Sequence, residues 1–76
     1  MTRRRPVGAR ELVRFLSAQG FVQVRQRGSH KFFRHADGRT ATVPDHKGED
    51  LGRGIVAQIL RDMDSSPKEF FDWLTR

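Results

Sequence analysis

The feature that most restricts what this chain can fold into is a change of hydrophobic period at Gly20. Before it, Leu12, Val13 and Leu16 recur at helical spacing, joined by Ala9 and Phe15, while Arg10, Glu11, Arg14 and Gln19 fall on the other side. That pattern buries one stripe of a helix over residues 8–19. After it, Val22 and Val24 alternate with Gln23 and Arg25, giving an apolar face and a polar face as in a sheet covered on one side. A glycine at the junction tolerates the left-handed backbone that ends a helix. A helix followed at once by a strand over Phe21–Gln26 is therefore predicted.

Two turn signals come next. Gly28-Ser29 suits a tight hairpin with glycine in its first position, ahead of a strand Lys31–Arg34. Asp37-Gly38 marks a second hairpin, ahead of Arg39–Val43, which Pro44 stops because proline has no N–H to give to a ladder. Residues 45–51 read as a polar loop, and Gly48, Gly52 and Gly54 bracket the start of another helix. Its apolar stripe is Ile55, Val56, Ile59, Leu60 and Met63, with Arg53, Gln58, Arg61 and Asp62 outside it. Ser66-Pro67-Lys68-Glu69 has the form of a capping box for a short last helix. Phe70, Trp73 and Leu74 give that helix an apolar side, and Phe71 lies at its margin or is exposed. The expected fold class is α+β: helix, three-stranded antiparallel sheet, helix, short C-terminal helix, with the helices on one face of the sheet and the other face open.

A chain of 76 residues has room for one domain around one core, so residues 1–76 are read as one unit, with 1–7 as a flexible basic arm around Arg3-Arg4-Arg5. The absence of cysteine excludes disulfides, thiolate zinc sites and cysteine nucleophiles together. No apolar run is long enough to span a bilayer, and the first residues lack the apolar stretch of a signal peptide. A cytoplasmic protein with no membrane partner is expected. Fifteen Lys and Arg against nine Asp and Glu give a net charge of +6 and a pI near 11.3. Phosphate is the commonest partner of such a surface, although surplus charge also serves solubility alone.

Three side chains have ordinary pKa values suited to moving protons near neutral pH: His30, His35 and His46. His30 directly follows the Gly28-Ser29 turn, where the backbone is fixed and the side chain can reach a ligand. Arg25, Arg27, Lys31 and Arg34 surround it in sequence, and strand alternation puts some of them on its face. From the residues alone, a polar strand position satisfied by a backbone hydrogen bond is the stronger reading of His30. His35 sits beside the Asp37-Gly38 hairpin and reads as a turn or surface residue, and His46 lies on the polar loop. His30 and His35, five residues apart on a strand, point to opposite faces, which sets them apart from a pair that holds one zinc. Neither a metal nor a cofactor is expected. Phe32 and Phe33 also face opposite ways. One of them belongs to the core, and the other stacks on a base or packs under a loop, with core packing the default for both.

Taken in order, Gly28-Ser29-His30-Lys31-Phe32-Phe33-Arg34-His35, Asp37-Gly38-Arg39, Thr42-Val43-Pro44 with His46, and Leu51-Gly52-Arg53-Gly54 before Ile59-Leu60 resemble the HicA toxin family. The resemblance runs from the opening helix and the Gly20-Phe21 step to the short helix with Phe70. It implies a double-stranded-RNA-binding-domain-like fold and the activity of a toxin that cleaves mRNA and is neutralised by a HicB-type antitoxin covering its active face. It also implies that His30, the histidine of the glycine, serine, histidine turn, is catalytic. Neutral His30 would then take the proton of a ribose 2′-OH without help from a metal. Lys31, Arg34 and Arg27 are the cations expected to stabilise the phosphate. Ser29 either orients the phosphate or completes the turn, and His46 is the first choice for the general acid, ahead of water. A module of the same fold that binds RNA without cutting it is the rival reading.

Overall fold

The structure is a computed structural model that describes residues 6–76. The residues run in the order β1 (Val7–Gly8), α1 (Ala9–Ala18), β2 (Val22–Arg27), β3 (His30–Arg34), β4 (Thr40–Pro44), β5 (Asp50–Leu51), α2 (Arg53–Asp62) and α3 (Pro67–Leu74). Strands β2, β3 and β4 form an antiparallel meander in that spatial order, and α1 and α2 both pack on β4 while α3 touches both helices. This is the expected α+β arrangement, with helices on one side of the sheet.

Helix α1 ends as its glycine predicts. Gly20 has φ +95°, the Phe21 N–H donates to the Leu16 carbonyl at 2.9 Å and the Gly20 N–H to the Ser17 carbonyl at 3.1 Å. These two bonds satisfy carbonyls that the helix end leaves open, and they bring Phe21 against the core beside Leu16. Helix α2 ends with the same bond pattern, Ser65 N–H to Leu60 and Asp64 N–H to Arg61, but the left-handed residue is Asp64, with φ +60°. At the start of α3 the Ser66 hydroxyl accepts from the Glu69 N–H at 3.2 Å, with Pro67 next in the chain. The Glu69 carboxylate returns to the Ser66 hydroxyl at 3.4 Å rather than to a backbone N–H.

The core joins Leu12, Phe15 and Leu16 of α1, Phe33, Ala41 and Val43 of the sheet, Val56, Ile59 and Leu60 of α2, and Phe70 of α3, with Phe71 partly buried at its margin. Two expectations fail here. Alternation puts Val22 and Val24 on the covered face of their strand, yet they are 64% and 60% exposed. The ladder explains this, because Val22 pairs with Arg34 while Gln23 pairs with buried Phe33, and the register then slips between Gln23 and Arg25. The valines are thus directed away from the helices, and the extra residue of the bulge leaves Val24 and Arg25 together opposite Phe32. Ile55 is also outside the core, at 43% exposure, whereas Val56 next to it is buried, so the stripe that α2 covers is narrower than its apolar run.

The segment 45–51 is not wholly loop, because Val7 pairs with Leu51 and Gly8 with Asp50. This two-residue ladder sets the starts of α1 and α2 side by side and buries Val7. Of the arm expected over residues 1–7, Arg3, Arg4 and Arg5 lie outside the described residues, whereas Val7 belongs to the fold. Among the described residues no helix is long and apolar enough to cross a membrane.

The far hairpin is held by Arg39. Its guanidinium grips the Asp37 carboxylate at 2.8 Å, lies over the Phe21 ring at 5.2 Å and donates to the Met63 carbonyl at the end of α2. The Arg39 side chain and then its backbone N–H lower the Asp37 pKa from 3.8 to about 2. A carboxyl whose pKa is depressed by folding contributes stability that is complete above its unfolded value and lost as pH falls through the folded one. The thermal midpoint of the wild type should therefore fall more steeply between about pH 4 and pH 2 than that of Asp37→Asn. Parallel pH profiles would show that the clamp contributes nothing to stability.

Candidate active site

The site is built on the first hairpin. Gly28 has φ +59° and Ser29 stays at negative φ, the combination a two-residue turn with glycine first requires. His30 is thereby placed as the first residue of β3, opposite Arg27 on one side and Pro44 on the other. The Asp45 N–H donates to the Ser29 carbonyl at 2.7 Å, so β4 continues to support the turn beyond Pro44, which has no N–H to offer.

Directly opposed residues share a face, which sorts the sheet. Gln23, Phe33 and Ala41 form one rung toward the helices, and Gln26, Lys31 and Val43 another. The uncovered face has three rungs: Val22, Arg34 and Thr40; Arg25, Phe32 and Thr42; and Arg27, His30 and Pro44. The Arg25 guanidinium lies 4.7 Å from the centre of the Phe32 ring. Strands β2 to β4 contain no Asp or Glu, so this face presents only basic charge. His30 is exposed on it.

The residues singled out from sequence therefore divide between the faces. His30, Arg27 and Arg34 share the open one, with Arg27 directly across the ladder from His30 and Arg34 two rungs away. Ser29 stands half-buried in the turn. Lys31 is on the other face, where its ammonium meets the Asp45 carboxylate at 2.7 Å. With His46 it lines a hollow of about 610 Å³ between the first turn of α1 and the segment after β4. Lys31 and His46 are thus not brought onto the face of His30. Asp45, the partner of Lys31, escaped the sequence reading because it lies just beyond Pro44, where the third strand is expected to stop. His35 serves the second turn: its Nδ1 accepts from the Asp37 N–H at 3.1 Å, and its ring packs on Phe21 with centroids 5.1 Å apart.

Chemically, the open face offers an imidazole with no hydrogen-bond partner among the described residues, beside a guanidinium with N–H donors for an anion. The pair can take up a proton and hold an anion. Helix, three-stranded meander and helix, with such a face left uncovered, define a small α+β protein of the double-stranded-RNA-binding-domain-like class. The chain belongs to the HicA toxin family, whose family model, described as the HicA toxin of bacterial toxin–antitoxin systems, matches residues 9–64. The match takes in α1, the whole sheet and α2 and stops before α3. No curated protein matches the chain in a sequence search.

Proposed function

We propose that the chain is the toxin of a HicA and HicB type pair, a cytoplasmic endoribonuclease that cuts mRNA by a metal-independent route through His30. Family membership supports the toxin role. The observation that carries the chemistry is the placement of exposed His30 directly opposite Arg27 on a face free of carboxylates.

In this mechanism the neutral imidazole of His30 takes the proton from a ribose 2′-OH. The 2′ oxygen forms a bond to the adjacent phosphorus, the bond from phosphorus to the 5′ oxygen breaks, and a proton from water or a second acid neutralises the leaving oxygen. The products are a 2′,3′-cyclic phosphate and a 5′-hydroxyl. Charge that develops on the phosphate oxygens is stabilised chiefly by Arg27, which shares the rung of His30, because Lys31 is neutralised by Asp45 on the other face. Arg34 and Ser29 orient the neighbouring backbone. His46 reaches the phosphate only if the segment after β4 folds over the turn, so water is the simpler proton source. The basic, acid-free face also suits an acidic or substrate-mimicking antitoxin, which silences the toxin by covering it.

The test is cleavage of an unstructured RNA in the presence of a chelator, alongside the same sequence with a 2′-deoxy sugar at each cleaved position. Chelator-resistant cleavage is expected, with cyclic phosphate ends and no cutting at the substituted sugars. Cleavage of the deoxy substrate would exclude the 2′-OH route, and a folded protein that binds RNA without cutting it would shift the reading to a binding module.

A further inference from the structure

The aromatic ring on the open face has no part in the proton chemistry, yet it occupies the middle rung, two residues from His30. Side chains two residues apart on a strand stand about 7 Å apart on one face, roughly the reach of one extended nucleotide. Phe32 is half-buried and flanked by Arg25 and Thr42. Around it lies a shallow depression of about 380 Å³ whose walls include Val24, Arg25, Arg34, Thr40 and Thr42.

We infer that Phe32 is a stacking platform for a nucleobase of single-stranded RNA, next to the phosphate held at His30 and Arg27, with Arg25 and Arg34 flanking it to hold the RNA backbone. This inference rests on the nuclease reading and names the form of RNA that site takes. A base inside a duplex has both faces occupied, so an aromatic ring on a sheet selects unpaired bases. Charge decides the occupant. The valines beside Phe32 would suit any apolar partner, but every ionisable side chain on the three rungs is basic. The guanidinium of Arg25, stacked on the ring at 4.7 Å, can move from the ring to a phosphate while staying next to the base.

The experiment uses full-length His30→Ala protein, which leaves the RNA uncut, and a short single-stranded RNA carrying one 2-aminopurine, moved position by position. Binding is expected to quench the fluorophore at one position. Phe32→Leu in the same background should remove that quench and weaken binding by about 10-fold, and Phe32→Tyr should restore both. The leucine keeps the site apolar, so equal thermal midpoints for the variants confirm that stacking alone has changed. Equal affinity and equal quench in Phe32→Leu would overturn the platform. So would unchanged RNA binding together with lost association with the antitoxin, which would assign the face to protein docking. The two readings fail separately. If the wild type cleaves RNA but the quench is indifferent to Phe32, only the platform is wrong, whereas a Phe32-dependent quench without cleavage by the wild type leaves the platform standing and removes the nuclease.

Discussion

His30→Ala should lose about 10²- to 10⁴-fold in RNA cleavage rate, the range a positioned general base contributes, while unfolding at the temperature of the parent. The two halves of this expectation come from the same geometry. His30 is exposed at the first position of β3, and its ring has no hydrogen-bond partner among the described residues, so truncation opens no cavity and strands no polar group. Substitutions at such positions change stability by roughly 0.5 kcal/mol or less. The backbone of the turn is held by Gly28 and by the Asp45 to Ser29 hydrogen bond, neither of which needs the imidazole. Rate and thermal midpoint are therefore read on the same preparation. Cleavage at the parental rate would remove His30 as the base and direct attention to His46. A fall in both would make His30 a structural residue, the reading that its residue type alone favours.

The order of elements was legible because each carries its own local signal. Gly20 and Gly28 stand where the backbone must take positive φ, and Ser66 caps the helix it was expected to cap. Where the signal is absent, the sequence reading loses detail. The end of α2 turns on Asp64 rather than a glycine, and the β1 and β5 ladder is two residues long, too short for any periodicity to show. The face of a strand is a different problem. Alternation establishes that Phe32 and Phe33 point opposite ways, but for the valines of β2 it points to the covered side, because apolar residues are expected there. Only the pairing of Gln23 with Phe33 and the bulge that follows reverse that assignment, and a bulge leaves no periodic trace. The same alternation separates His30 from Lys31. The Gly28-Ser29 turn implies that Arg27 stands across from His30, as the ladder shows, whereas the pairing of Lys31 with Asp45 joins residues 14 apart and has no local signal.

Phe15→Ala is expected to have the largest effect on stability and to show how firmly α3, which lies outside the family match, belongs to the fold. The Phe15 ring is 1% exposed and meets two rings of α3, Phe70 at 5.1 Å and Trp73 at 5.4 Å, in tilted geometry. Removing a buried phenylalanine side chain costs about 3–5 kcal/mol. At roughly 0.05–0.15 kcal/mol per residue, a fold of this size has about 4–11 kcal/mol in total, so the substitution takes away between a quarter and all of it. In a small domain each kcal/mol corresponds to about 4–8 °C, and the thermal midpoint should drop by at least about 12 °C. The far-ultraviolet helical signal and the fluorescence of Trp73 should change together, because the ring joins α1 to α3 directly. A Trp73 transition well ahead of the helical one would mean that α3 detaches first, leaving α1, the sheet and α2 as the cooperative unit. A shift of only a few degrees would mean that Phe70 and Leu12 collapse into the space. Coincident transitions with a large drop make α3 part of the one core, and with it part of the support behind β4, whose end holds the turn that presents His30.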